Sequence, residues 1–90
     1  MPRRSLTTEH LKTWVIEALQ ELDGAGSVAE VAEVIWRRHE NDLRASGATF
    51  YTWQYDIRWA AQRLRHEGAL ERVGRSRNGL WTLSSGSSAG

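Results

Sequence analysis

The sequence predicts a mainly α-helical domain that ends in a small β-hairpin. Three segments with apolar residues at helical spacing come first, and two short apolar strands around an Asn-Gly turn signal follow. Three helices and a hairpin, in this order, are typical of a winged helix-turn-helix with three helices plus a wing. The 90 residues are enough for one such domain with its own apolar core.

The first helix is predicted from about Thr8 to Leu22, where the apolar residues form one stripe. The run Asp23-Gly24-Ala25-Gly26 is expected to end it, because glycine readily adopts the positive φ that stops a helix. The stripe consists of Leu11, Val15, Ala18, Leu19 and Leu22.

The second helix is predicted to start at a capping box, in which Ser27 and Glu30 satisfy each other's free backbone amides. It is expected to fray near Ala45-Ser46-Gly47. We expect Trp14 and Trp36 to pack between the first two helices. The inward residues of the second helix are Val28, Val31, Ala32, Ile35, Trp36 and Leu43.

The third helix is predicted from Trp53 to Glu67, with Thr52 as its cap after a loop through residues 47–51. Gly68 ends it. On a helical wheel centred on Ile57, one face is apolar and is expected to be buried; it also holds Trp53, Ala60, Ala61 and Leu64. The opposite face and its flanks hold Tyr55, Arg58, Trp59, Gln62, Arg63 and His66.

The wing is predicted from two strands, Leu70 to Val73 and Leu80 to Leu83, joined by a loop with Asn78-Gly79 as its turn. A minimal strand near Gly26 to Val28 adds a third edge. Trp81 lies in the second strand and is expected to be part of the core.

The predicted domain covers residues 7–83, between a flexible N-terminus (residues 1–6) and a disordered, linker-like tail (residues 84–90). The chain has no cysteine, so it offers no disulfide or thiolate metal site. No apolar run approaches the length of a membrane span, and the N-terminus is unlike a signal peptide. We therefore expect a cytoplasmic protein that does not enter a membrane.

Charge is unevenly distributed along the chain. Residues 7–43 carry three basic and eight acidic side chains, a balance of −5, whereas residues 53–83 carry six arginines and three acids, a balance of +3. Arginine outnumbers lysine eleven to one, which suits bidentate contacts with phosphate and guanine. The basic half is where a polyanion is expected to dock.

The third helix and the wing therefore predict an interface with double-stranded DNA. The candidate base or methyl contacts are Trp53, Gln54, Tyr55, Arg58, Trp59 and Gln62. The candidate phosphate contacts are Thr52, Arg63, Arg75, Arg77 and Asn78. Two alternatives stay open at this stage: Trp59 packs under the second helix or the 44–52 loop, and Arg63 pairs with Glu67 one helical turn away.

The sequence does not support catalysis, a metal or a cofactor. His10, His39 and His66 lie on three different elements without the spacing of metal ligands. His39 falls on the buried stripe of the second helix and is expected to be a satisfied core histidine. No glycine-rich phosphate loop or nucleophile elbow is present in the chain.

The third helix and wing resemble those of known restriction enzymes. The run Tyr55-Asp56-Ile57-Arg58-Trp59-Ala60-Ala61, the segment from Leu64 to Glu71, and Gly79-Leu80-Trp81-Thr82-Leu83 carry the likeness. This pattern resembles the N-terminal domain of Mrr-type restriction endonucleases and is similar to the winged-helix domain of Dpn-type enzymes. Both groups depend on DNA modification, so the resemblance implies a reader of methylated DNA, particularly N6-methyladenine.

The 90 residues hold no nuclease domain, so the resemblance implies a freestanding or excised reader with a tethered or partner nuclease. Two alternatives remain: an ordinary sequence-specific regulator without modification dependence, and a winged helix whose aromatic face docks a protein. Steep salt dependence of binding distinguishes the DNA-binding hypotheses from the protein-docking one.

Overall fold

The computed structural model describes residues 7–71 and 80–84. It confirms a mainly helical winged helix-turn-helix with a small antiparallel sheet. The elements in chain order are α1 (Thr8–Glu21), β1 (Ala25–Gly26), α2 (Val28–Arg44), α3 (Thr49–His66) and β2 (Trp81–Thr82).

Helix α1 starts at a capping box that the sequence analysis did not predict. The backbone N–H of Thr7 donates to Nδ1 of His10 at 3.1 Å, and the N–H of His10 donates back to the Thr7 hydroxyl at 3.4 Å. The helix ends where predicted, because Asp23 and Gly24 take left-handed backbone conformations with φ of 65° and 101°.

Helix α2 starts at the predicted capping box. The N–H of Glu30 donates to the Ser27 hydroxyl at 3.1 Å, and the N–H of Ser27 donates to the Glu30 carboxylate at 2.9 Å. The helix is kinked at His39, whose φ and ψ are −128° and 24°. The ring of His39 stacks on Trp14 of α1 and its Nε2 lies 3.1 Å from Glu17, so the histidine has partners, as expected. The expectation of a core position is wrong, because the side chain is only partly buried.

Helix α3 begins at Thr49, four residues before the predicted start, with Ala48 at the N-cap position and no capping side chain. The prediction of Thr52 as the cap is therefore wrong. Phe50 lies in the first turn of α3, where its ring packs against that of Trp36 on α2, with the ring centroids 6.2 Å apart. Helix α3 thus starts earlier than predicted with a contact between two helices in its first turn and without a local capping side chain. The helix ends before Gly68, which has φ of 85°.

The sheet joins the segment between α1 and α2 to the chain that follows α3. Strands β1 and β2 are antiparallel, with Ala25 opposite Thr82 and Gly26 opposite Trp81. An isolated bridge pairs Leu70 with Leu83 and brings the chain after α3 to the other side of β2. This confirms the third edge of the wing, at residues 25–26 rather than 26–28. The predicted wing tip lies within residues 72–79, outside the described part of the chain.

The three helices share one core with the sheet. Trp81 is buried, as predicted, and Trp14 packs between α1 and α2. The prediction for Trp36 is wrong, because its ring stacks on Trp53 of α3 and therefore lies between α2 and α3. The fully buried larger side chains are Val15, Leu19, Val31, Ile35, Leu43, Ile57 and Leu64. Within residues 7–71 and 80–84, no helix has the length and apolarity needed to cross a membrane.

Candidate nucleic-acid interface

An aromatic stripe runs along the outer face of α3. Tyr51, Tyr55 and Trp59 are spaced four residues apart and are 84%, 62% and 58% exposed. The rings of Tyr55 and Trp59 meet edge to face, with centroids 6.3 Å apart. Three large rings in one exposed row are unusual for a surface that contacts only water. The stripe is thus a candidate contact surface, and Trp59 does not pack under α2.

Sequence analysis missed Tyr51, because it placed this residue in the loop before the third helix. The signal was present in the spacing, since Tyr51 precedes Tyr55 by four residues and Trp59 by eight. Only the early start of α3 at Thr49 makes this spacing meaningful. Tyr51 therefore joins the candidate surface.

Trp53 leaves the candidate surface. Its side chain is 5% exposed and stacks on Trp36 at 6.0 Å between ring centroids, with the ring planes 13° apart. A buried indole cannot reach a base edge without leaving the core. The burial predicted from the helical wheel is confirmed, and the assignment of Trp53 as a base contact is withdrawn.

Two arginines on α3, Arg58 and Arg63, have guanidinium groups without a protein partner among the described residues. Arg58 and Arg63 are exposed, and neither forms an ion pair or a side-chain hydrogen bond within the part of the chain that the structure describes. The pair between Arg63 and Glu67 does not form. Instead, Glu67 accepts a 2.5 Å hydrogen bond from Lys12 of α1. Both arginines are therefore available to an anion.

The arginines on α2 differ in this respect. Arg37 and Arg38 both donate to the carboxylate of Glu21 on α1, and Arg44 donates to Glu40 at 2.7 Å. The hydrogen bond from Arg37, with a second from Arg38, lowers the pKa of Glu21 below its usual value. Each of these three arginines is thus paired with a carboxylate, with Arg37 and Arg38 sharing Glu21, whereas Arg58 and Arg63 have no such partner among the described residues.

The polar side chains of α3 are divided between two roles. Gln54 and Gln62 are exposed and have no hydrogen-bond partner among the described residues, so their amides can contact bases. The Thr52 hydroxyl donates to Asp56 at 2.8 Å. A phosphate needs a donor and this proton is already committed, so Thr52 does not fit the predicted role of phosphate contact.

Two adjoining hollows lie beside the aromatic stripe. One, of about 390 Å³, is formed by Tyr55, Arg58, Trp59 and Gln62. The other, of about 490 Å³, lies between α2 and α3 and shares Tyr55 and Arg58 with the first. The first hollow places two aromatic rings beside one guanidinium and one amide. It can hold a small apolar group of a ligand while Arg58 and Gln62 form hydrogen bonds with polar atoms next to that group.

The remaining predicted phosphate contacts, Arg75, Arg77 and Asn78, lie outside the described residues. Among residues 7–71 and 80–84, no three histidine, aspartate or glutamate side chains are grouped as a metal site would require.

Comparisons with family profiles, with characterised proteins and with solved structures gave no match. Function is therefore argued from the site itself.

Proposed function

We propose that this chain is a non-catalytic module that binds double-stranded DNA through the exposed face of α3 and prefers DNA carrying N6-methyladenine. The observation that carries the proposal is the pairing pattern of the arginines. Those on α2 are paired with acids of α1 and α2, while Arg58 and Arg63, beside an exposed aromatic stripe, have no ion-pair partner within residues 7–71 and 80–84. This is the pattern expected of a helix that meets a polyanion.

The position of these side chains fits the major groove, which is wide enough to admit one α-helix. In this arrangement Arg58 donates to guanine O6 and N7, and Gln54 or Gln62 pairs with adenine N6 and N7. Arg63, on the flank of α3, contacts phosphate. Arg75, Arg77 and Asn78 of the predicted wing extend the phosphate contacts along the backbone.

Preference for N6-methyladenine rests on the hollow between Tyr55 and Trp59. The methyl group on adenine N6 projects into the major groove, where aromatic surface can remove it from water. Burying one methyl group contributes about 0.8 kcal/mol, or about a fourfold preference. A palindromic site methylated on both strands offers two such groups, so two copies that bind together gain about 1.6 kcal/mol, or about a fifteenfold preference.

The module acts in the bacterial cytoplasm and directs a tethered or partner nuclease to modified sites. This part of the proposal follows from the resemblance to Mrr-type and Dpn-type enzymes.

Fluorescence anisotropy with three otherwise identical duplexes tests the proposal. The duplexes contain one palindromic GATC site and are unmodified, methylated at adenine N6 on both strands, or methylated at cytosine C5. We expect the adenine-methylated duplex to bind most tightly. Equal binding of all three with steep salt dependence supports an ordinary DNA-binding regulator and refutes methyl reading.

A salt series on the same duplexes tests DNA binding itself. Each phosphate neutralised adds about 0.9 to the slope of log affinity against log salt. A steep slope supports contact between the arginines and the DNA backbone. Absence of binding to all three duplexes refutes the proposal and leaves the aromatic stripe as a protein-docking surface.

A further inference from the structure

A third groove, of about 550 Å³, opens between α2 and α3 and is walled by aromatic rings. Trp36, Phe50, Trp53 and Gln54 line it, and Ala29 and Ala32 leave room on the α2 side. Its volume lies in the range typical of small-molecule sites, about 300–1,000 Å³. Of its lining residues Gln54 is a proposed DNA contact, and the others have no role assigned so far.

Two aromatic rings that line this groove, those of Trp36 and Phe50, already contact one cation, the guanidinium of Arg44. The guanidinium of Arg44 lies 5.3 Å from the centroid of Trp36 and 5.9 Å from that of Phe50. These distances are those of cation–π contacts. Arg44 is not among the residues that line the groove.

A free carboxylate stands at the same groove. Glu33 of α2 lines it, is exposed, and forms no ion pair or side-chain hydrogen bond within residues 7–71 and 80–84. By contrast, Glu21 and Glu40 on the neighbouring surface are paired with arginines. A carboxylate beside aromatic faces repels phosphate and attracts a positive charge that has apolar surroundings.

We propose that this groove binds a small organic cation with apolar substituents on its charged nitrogen, such as a quaternary ammonium. The rings of Trp36 and Phe50 contact the substituents and face the charge, and Glu33 supplies the counter-charge. The proposal requires Trp36, Phe50 and Glu33, none of which is a proposed DNA contact, although Gln54 of the proposed DNA-binding face also lines the groove.

Choline and 3,3-dimethylbutan-1-ol, its neutral isostere, test the charge requirement. The full chain, labelled with ¹⁵N, is titrated with each compound and its five indole N–H resonances are followed by NMR. We expect choline to move the resonances of Trp36 and Trp53 and to leave Trp14, Trp59 and Trp81 unchanged. Choline should bind about tenfold more tightly than the alcohol, because only choline gains the cation–π and carboxylate contacts.

Glu33→Gln is expected to weaken choline binding about two- to fivefold, as is typical of an exposed ion pair. Glu71→Gln, which removes a carboxylate outside the groove, serves as the matched control and should leave choline binding unchanged. Equal binding of choline and the alcohol, or no movement of the two indole resonances, overturns the proposal. Binding only to a trimethyllysine peptide, and not to choline, also overturns it, because the ligand would then be a protein side chain.

Discussion

The ammonium nitrogen of Lys12, near the start of α1, lies 2.5 Å from a carboxylate oxygen of Glu67, just beyond the end of α3. Lys12 is the only lysine in the chain, and its side chain is 11% exposed. It also donates to Glu9 at 3.1 Å. Glu67 is thus paired with Lys12 and forms no ion pair with Arg63. The contact joins α1 to the segment just after α3.

The Lys12–Glu67 contact predicts a stability change at high pH. The hydrogen bond to Glu67, with a second to Glu9, raises the pKa of Lys12 above its usual value. Its contribution to the free energy of unfolding is therefore complete below the ordinary lysine pKa of about 10.4 and is lost as pH rises through the folded-state value. Urea unfolding should show Lys12→Met less stable than the unmodified chain at neutral pH, with the difference shrinking above this range. A difference that stays constant with pH contradicts the ionic contact.

The ion pairs of Glu21 with Arg37 and Arg38 predict that the protein loses stability at low pH. Hydrogen bonds from Arg37 and Arg38 lower the pKa of Glu21, so its stabilising effect is present above the ordinary glutamate pKa of about 4.3 and disappears as pH falls through the folded-state value. Glu21→Gln should lower the urea midpoint at neutral pH and have little effect in strong acid. Glu33→Gln, which removes an unpaired carboxylate, is the control and should show no such pH dependence.

Arg58 and Arg63 are expected to differ in their effect on DNA binding. Arg58→Ala should cost about 1–3 kcal/mol on the preferred site, because it removes a contact with a base. Arg63→Ala should weaken binding to all sequences alike and lower the salt slope by about one unit. Anisotropy titrations on specific and scrambled duplexes measure both effects. Small and equal losses from the two variants contradict the assigned roles.

Trp59 and Trp53 provide a matched pair of tryptophans on one helix. Trp59→Ala should change the free energy of unfolding by no more than about 0.5 kcal/mol, because its indole is largely exposed. It should abolish the preference for methylated DNA. Trp53→Ala should cost about 3–5 kcal/mol of stability, because it empties a site in the core. A large stability loss from Trp59→Ala would show that this ring is part of the core.

Local rules predicted much of the fold. Ser27 and Glu30 lie three residues apart and cap α2 without help from the rest of the chain, so the sequence indicates them directly. The start of α3 was misplaced because Ala48 offers no capping side chain. Its position depends on the packing of Phe50 on Trp36, which lies 14 residues earlier and on another helix.

The candidate site was predicted in part for the same reason. Helical periodicity placed Tyr55 and Trp59 on the face opposite Ile57, and both side chains are exposed. The partner of Glu67 could not be predicted from local spacing, since Lys12 is 55 residues away in sequence. Whether a charged side chain has an ion-pair partner depends on such contacts between distant residues, and local sequence patterns do not predict them.

The most direct test of the central claim is an NMR titration of the ¹⁵N-labelled chain with the adenine-methylated GATC duplex. We expect the largest shifts on the exposed face of α3, including the backbone of Tyr55 and Arg58 and the indole N–H of Trp59. The acidic surface of α1, around Glu17 and Glu21, should be unaffected. Shifts centred on α1, or no shifts at all, would contradict the claim that this chain binds DNA through its third helix.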